Sequence, residues 1–407
     1  MMTPFRGWVA VASVALGTFT LVTNEFLPVG MLSVMAPELG VSEGVAGLTM
    51  TIPGIVAAVA APTLTVLGGR VDRRIFLIAM SALFVASDLI AAASGSITVL
   101  LAARFLLGLG IGGFWAIGAG IGAQLVGAAR AIRATTIIFA GVSIASVIGV
   151  PVGALISAHW GWRMAFVTTA GLGVVVLASQ IFLLPRMKVD EPTTWKTLAD
   201  VLRGRNARVG LIATILVVVG QFTAYTYVGP FLERETGADP NLVSGLLLAY
   251  GVAGIVGNFA VGGLLRKRML ATVVTTALLL AASVLLLPAI GGMTVAAGGV
   301  LLVWGLAYGA IPVAMQTWVF TSDTRSAEGG TALYIASFQI SVAAGSFVGG
   351  RIVDGYSTAL SMVAGAVLAA AGAVVLLVFS NRTPASDPSD GPDAVALRTA
   401  GVPGERE

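Results

Sequence analysis

Apolar runs of about 18 to 25 residues recur along the chain from Trp8 to Ser380, and most of the charged residues lie between them. A helix needs about 20 apolar residues to cross roughly 30 Å of hydrocarbon. The pattern predicts twelve spans, at 8–32, 44–67, 75–94, 97–122, 134–158, 163–184, 209–232, 241–265, 269–290, 294–318, 329–350 and 358–380. Each run is too long for a barrel strand, and hydrocarbon forces backbone groups to pair within the segment, so the spans are helices. The expected fold class is all-α: a polytopic membrane protein with twelve transmembrane helices in two pseudo-symmetric six-helix halves.

Composition agrees with this pattern. Hydrophobic residues make up 57% of the chain and charged residues 10%, with a mean hydropathy of +0.97, which excludes a soluble globular protein. The basic residues set the orientation. With the N-terminus inside, the inside loops hold 15 Lys and Arg residues, among them Arg70, Arg130, Lys188, Lys196 and Arg325, and the outside loops hold only Arg163, Arg234 and Arg351. Both termini are therefore expected in the cytoplasm. The net charge of +4 follows from this bias and calls for no nucleic-acid partner. The chain has no cysteine, so disulfides and thiolate metal sites are excluded. Its only histidine, His159, falls in or beside an outside loop. The first apolar run is too long for a signal-peptide core and lacks a small-residue cleavage site, so it is expected to remain as the first span.

The charged stretch from Pro185 to Arg208 divides the spans into two sets of six. The expected units are an N-terminal bundle at 1–184, a cytoplasmic linker at 185–208, a C-terminal bundle at 209–380 and a disordered cytoplasmic tail at 381–407, rich in Pro, Asp, Ser and Gly. The halves echo each other. Gly68-Gly69 before Arg70 matches Gly262-Gly263 before Arg266, at an offset of 194 (262 minus 68). Gly149 and Gly153, flanking Pro151, match Gly345 and Gly349, at an offset of 196 (345 minus 149). Two such repeats around a site at the membrane midplane form a transporter architecture.

Ionisable groups inside spans are costly and usually functional. Glu25, Asp88 and Arg104 stand out, all placed in the outer half of the bilayer. Glu25 is the candidate proton carrier, because a carboxyl group among apolar side chains can take up and release a proton near neutral pH. Pro28 cannot donate to the carbonyl of Asn24, so the first span should kink there and free that carbonyl. Asn24 and Glu25 beside a kink make a candidate ligand and proton site; the alternative is a structural Glu paired with a neighbour. Arg104 stays charged and needs a partner. Pairing with Glu25 would make a switch, and a fixed salt bridge to Glu25 or Asp88 is the alternative. Asp88 lies near the end of its span and is read as either a second acid of the site or a group reaching the interface.

Aromatic and amide side chains form a second set: Trp115 in span 4, Gln221, Tyr225 and Tyr227 in span 7, and Trp304, Tyr308, Gln316 and Trp318 in span 10. Planar rings beside amides suit a flat, hydrogen-bonding ligand. Taken singly, each is more readily explained by packing or by an interfacial belt, while as a group some should line a cavity. Gly108, Gly110, Gly112 and Gly113 in span 4 indicate close helix packing. No Gly-Lys-Ser/Thr phosphate loop and no His-Glu-x-x-His motif occurs, so no nucleotide cofactor and no metal is expected. A channel would need a filter or charged rings, and none is evident.

The loop Gly69-Arg70-Val71-Asp72-Arg73-Arg74 resembles, in shortened form, the signature of the major facilitator superfamily. Arg104 followed by Gly108 and Gly112 resembles that superfamily's helix 4 motif, whose Arg is associated with proton coupling. Gly141 through Gly149, Pro151 and Gly153 resembles its helix 5 antiporter motif, found in exporters more than importers. Within the superfamily the chain is similar to the twelve-helix drug–proton antiporters. The stretches Glu25–Val29, Gly40–Gly47, Gly112–Ala116 and Gly161-Trp162-Arg163 look most like purine ribonucleoside efflux pumps. The loop departs from the superfamily pattern at Arg74, where a further residue and a Gly usually follow, and Asp88 matches no motif of the family.

The resemblance implies a proton-coupled exporter in a bacterial inner membrane, working by alternating access on a small organic substrate, with purine nucleosides or base analogues favoured over other drugs or sugars. Glu25 would carry the proton with Arg104 sensing it and Asp88 next in line. Asn24, Trp115, Gln221, Tyr225, Trp304 and Tyr308 would bind substrate, and Asp72, Arg73, Arg74 and Lys267 would brace the inside gate. The expected partners are substrate, protons and lipid, with the protein acting as a monomer. A facilitator or importer of the same fold remains a second reading. A membrane-embedded enzyme is a third, disfavoured by one histidine, no cysteine and few buried acids.

Overall fold

The structure, a computed structural model, describes residues 4–68, 71–118, 121–127, 130–187, 203–290, 292–322 and 327–380. The described residues contain no strand. The membrane-spanning helices are α1 (Pro4–Phe26), α2 (Glu43–Leu67), α3 (Arg73–Ala92), α4 (Ile97–Gly118), α5 (Ala131–Trp160), α6 (Trp162–Leu183) and α7 (Arg205–Tyr225). After them comes one helix, Pro240–Ile290, that breaks at Arg268 (φ −150°, ψ 72°) into two limbs, α8 and α9. The last three are α10 (Thr294–Ser322), α11 (Ala327–Gly355) and α12 (Thr358–Phe379). Eleven helices are long and apolar enough to span, and the break makes twelve crossings of them. The twelve-span reading therefore holds, with boundaries shifted by a few residues. Of the expected linker, 188–202 lie outside the described residues, as do the tail from 381, Gly69, Arg70 and Arg325.

Local chemistry sets the ends. Ser42 caps α2 by accepting from Val45 N at 3.2 Å, Asp72 caps α3 by accepting from Arg74 N at 2.9 Å, and Ser357 caps α12. Gly161 joins α5 to α6 at φ 84°, a conformation that costs glycine little. The opening helix of each half is broken. α1 passes into a 3-10 turn at Leu27–Gly30, containing Pro28, and then a short helix, Leu32–Glu38. α7 stops at Tyr225 and is followed by Val228–Glu235.

The internal repeat is also a repeat of packing. A side chain at Gly149 would sit 3.1 Å from Thr23 Cα, and one at Gly153 2.5 Å from Leu27 Cδ1, so both glycines let α5 lie close to α1 and the turn after it. Gly345 and Gly349 do the same for α11 against α7, at 2.9 Å from Phe222 Cβ and 2.8 Å from the Tyr227 ring. Large apolar side chains such as Phe182 (84% exposed) and Phe259 (76%) point outward, as a lipid-facing surface requires.

The alternation of helices gives two ends. One carries Asp72, Arg74, Arg130, Arg266 and Lys267 and is called the basic end. There Asp72 accepts from Met187 N at 3.0 Å and Arg74 donates to Ile181 O at 2.6 Å, tying the α2–α3 connection to the end of α6. Arg73 N donates to Met187 O at 3.1 Å. Lys267 is exposed at the α8–α9 break. The opposite end carries Glu38, Glu43, Glu233 and Asp354 and is called the acidic end.

Candidate functional site

The halves meet along α2 against α11 and along α5 against the broken helix Pro240–Ile290. The first contact is a polar seam. At the acidic end Asp354 accepts from Ser42 Oγ at 2.7 Å and from Gly44 N at 2.9 Å. Arg234 donates to Glu43 at 2.7 Å and Ser33 donates to Glu233 at 2.8 Å. A groove of about 280 Å³ lies between Ser42, Glu43, Arg234 and Asp354. Deeper, Ser346 Oγ donates to Gly47 O at 3.0 Å, and Tyr227 OH, fully buried, donates to Ser346 O at 2.9 Å. Tyr227 therefore belongs to the seam. Deeper still, Gln339 Nε2 donates to Glu25 Oε1 at 2.9 Å.

Glu25 is 5% exposed and Arg104 is fully buried. The expected pairing of Arg104 with a carboxylate is not what forms. Among the described residues no ion pair joins it to Glu25 or Asp88. The guanidinium donates to Asn24 Oδ1 at 2.9 Å, to the carbonyls of Asn24 and Glu25 at 3.0 and 3.1 Å, and to Thr49 O at 3.0 Å. The physical reason is Pro28. It cannot donate to the Asn24 carbonyl, so that oxygen is left for the guanidinium. The kink was legible in the sequence; its occupant was not. Phe166 lies beneath, 5.9 Å from Arg104 Cζ to the ring centroid.

Asp88 corrects a second expectation. It does not reach the interface: it is 1% exposed, and neither carboxylate oxygen has a hydrogen-bond partner among the described residues. Its field acts on Arg104, and Asn24, whose Nδ2 is also unpartnered, and Thr169 lie beside it. Three buried ionisable groups thus share one site built on α1, α3 and α4.

On the other side of Glu25, the C-terminal half contributes an aromatic cluster. Gln221 donates to Tyr250 OH at 2.9 Å and accepts from Trp304 Nε1 at 2.7 Å. Tyr225 stacks on Tyr250 with centroids 5.0 Å apart and meets Trp304 edge-on at 6.0 Å. Phe222 extends the cluster edge-on to Tyr225, Tyr308 and Phe338. It also stacks on Phe26 of α1 at 5.6 Å, across the halves. The sequence-predicted Gln221, Tyr225, Trp304 and Tyr308 are brought together here. Both ends of the Gln221 amide are consumed within the cluster. Tyr225 and Tyr308 make no hydrogen bond through their hydroxyls among the described residues, and Tyr308, Phe26 and Phe338 are only partly buried.

Trp115 is elsewhere. It packs on Phe139 of α5, about 16 Å along α4 from Arg104 towards the basic end. Trp318 is held by Asn206 O, outside the cluster. Sequence reading missed Tyr250, Phe26, Phe222, Phe338, Thr49 and Gln339. For Gln339 a signal existed: it is a lone amide within the apolar span 329–350.

Comparison with known proteins places this geometry. The family "Major Facilitator Superfamily" matches residues 14–332. "Purine ribonucleoside efflux pump NepI" of Salmonella paratyphi A is 33% identical over 349 residues, covering 86% of this chain and 88% of that one. "Transcription regulatory protein OpdE" of Pseudomonas aeruginosa is also 33% identical, over 384 residues, covering 93% and 95%. Among solved structures, a D-xylose-proton symporter superposes with a TM-score of 0.72 at 17% identity, covering 94% of this chain and 99% of that one. A bacterial homologue of the human lysosomal transporter Spinster, in an inward-facing and unoccupied conformation, gives 0.71 at 14%, covering 93% and 96%. With its fold and three-quarters of its length matched, the chain belongs to the Major Facilitator Superfamily and is a multi-pass membrane transporter of that family.

Proposed function

We propose that this transporter is a proton-coupled exporter of small, flat organic molecules, with purine nucleosides or base analogues as the favoured class. The observation that carries the reading is the position of Glu25. It is buried at the meeting of the halves, with a charged site on one side and a partly open aromatic cluster on the other. The partly buried rings of Tyr308, Phe26 and Phe338, with the unpartnered hydroxyls of Tyr225 and Tyr308, suit a planar ligand carrying donors and acceptors, and the NepI relatives are named as purine ribonucleoside efflux pumps. Glu25 takes the proton, and Tyr225, Tyr308, Phe26 and Phe338 receive substrate. Gln221 and Trp304 shape the cluster from behind.

In this reading the basic end faces the cytoplasm, as the distribution of Lys and Arg favours, and both termini lie there in a bacterial inner membrane. The protein works as a monomer. Asp72, Arg73, Arg74 and Lys267 brace the cytoplasmic side. The glycines around Pro151 let α5 rock on α1 during the exchange of access.

The test is proton movement in proteoliposomes carrying an internal pH dye, with inosine, adenosine, guanosine and several drugs added in turn. Substrate-dependent proton flux in the wild type that vanishes in Glu25→Gln supports the reading, and the active compound identifies the substrate class. Flux that survives the substitution moves the proton site, with Asp88 next. Absence of proton flux with a compound that binds and crosses makes the protein a facilitator.

A further inference from the structure

The seam between the halves ends at an unusual rung. It runs along α11 from Asp354 at the acidic end through Ser346 to Gln339, fifteen residues (354 minus 339) or about 22 Å of helix. Around Gln339 the two helices approach closely: a side chain at Gly54 of α2 would sit 2.9 Å from the Gln339 carbonyl oxygen and 3.0 Å from Ala343 Cβ. The Glu25–Gln339 bond is the deepest of these rungs and borders the aromatic cluster through Phe338. It differs from the other deep rung, where Ser346 meets a backbone carbonyl. Here the acceptor is a carboxyl group, whose charge changes when a proton binds.

We propose that Gln339 is the coupling residue of this transporter: its bond to ionised Glu25 holds the empty, unprotonated carrier closed at the acidic end. The inference rests on the exporter reading above. An antiporter must prevent its empty form from crossing between conformations, because that crossing turns coupled exchange into a leak. A hydrogen bond to a carboxylate is roughly twice as strong as one between neutral groups. Protonation of Glu25 weakens the bond, and a substrate N–H or O–H donor competes for the same carboxylate. Either ligand releases the latch, and the empty carrier keeps it. The charged and titratable groups facing Glu25 are Arg104 of α4 and Tyr308 of α10, with Asp88 beyond Arg104. Arg104 is committed to backbone and amide oxygens, so among the described residues Gln339 is the one hydrogen-bond donor from the other half to the Glu25 carboxylate.

The experiment compares wild type, Gln339→Met and Gln339→Asn in proteoliposomes. Methionine keeps the length without the amide, and asparagine keeps the amide one methylene too short. Two rates are read with a transported nucleoside: accumulation driven by an imposed pH gradient, and downhill flux without one. The latch predicts that both variants lose gradient-driven accumulation while downhill flux rises about tenfold, the effect of losing one charge-assisted hydrogen bond. Glu25→Gln, which removes the charge from the same bond, should also keep downhill flux while moving no protons. Variants that accumulate substrate as tightly as the wild type overturn the proposal, as does a folded pair that is inactive in both assays. If Gln339→Met does not fold, Gln339→Asn decides alone. A wild type that moves no protons with substrate defeats the exporter reading instead, so the two failures are distinct.

Discussion

Asp354 offers the sharpest mechanical test of the closed acidic end. It sits at the end of α11, yet its carboxylate serves the first turn of α2 in the other half, accepting from Gly44 N at 2.9 Å and Ser42 Oγ at 2.7 Å. A carboxylate at a helix N-terminus satisfies an orphan N–H and meets the positive end of the helix dipole. Loss of such a cap costs about 0.5–2 kcal/mol, and the serine hydrogen bond adds about 0.5–1.5 kcal/mol. Asp354 is exposed, so solvent screening brings the sum to about 1–2 kcal/mol. Asp354→Ala should therefore shift the ratio of closed to open forms at this end by roughly 5–30-fold. The chain lacks cysteine, so spin labels at Thr98→Cys in α4 and Tyr356→Cys after α11 report on the two halves without background. The expected result is a second, longer distance in Asp354→Ala at the expense of the short one. A distance distribution identical to that of the parent would show that the Asp354 contacts do not hold the halves, and the cross-half cap would carry no weight.

Two further predictions probe the interior. Trp304→Phe leaves the buried Gln221 acceptor without its donor and should cost about 1–3 kcal/mol of stability; Gln221→Leu in the same background should recover part of it, read as non-additive melting temperatures in detergent. Asn24→Leu removes the one side-chain acceptor of Arg104 and should cost about 1.5–3 kcal/mol. It should also lower thermal stability more than Thr23→Val on the neighbouring residue, and equal melting temperatures for the two variants would refute the anchoring role.

The fold was legible because lipid leaves few choices. Apolar runs of spanning length can only be helices, and even the break at Arg268 was foreshadowed by the run Arg266-Lys267-Arg268 between two apolar stretches. The repeated glycines were legible for the same reason, since Gly149 of α5 and Gly345 of α11 occupy equivalent packing positions against α1 and α7. The site was legible only in its members. Glu25, Asp88 and Arg104 advertise themselves as ionisable groups in spans, and Gln221, Tyr225, Trp304 and Tyr308 as rings and amides. Their pairings depend on which helix faces which, and that information is not local. Tyr250 looks like any span residue until α8 is laid against α7, where its hydroxyl meets Gln221. Asp88 lies four residues from the end of α3, and distance from a helix end suggested water. Burial is decided by the neighbours α1, α4 and α6 instead.

The mispairing expected of Arg104 bears on the mechanism. A guanidinium in a membrane protein is expected to seek a carboxylate, because an uncompensated buried charge is costly. In this site the hydrogen bonds come from dipoles, two carbonyls and an amide oxygen of the kinked α1 and a carbonyl of α2, while the fields of Asp88 and Glu25 act on the cation without an ion pair. These acceptors do not titrate. The hydrogen-bond acceptors of Arg104 are therefore the same whether or not a proton sits on Glu25, and they hold the last turn of α1, which carries Glu25. Had Arg104 been salt-bridged to Glu25, each protonation would have stranded a buried cation, and the proton would have been held off by that cost. In the proposed mechanism, by giving the cation its own set of oxygens the proline kink would leave the Glu25 carboxyl to exchange a proton against a contact with the other half. Under the proposed coupling, the residue read from sequence as the sensor would act as an anchor, and the charge change would pass across the halves through Gln339.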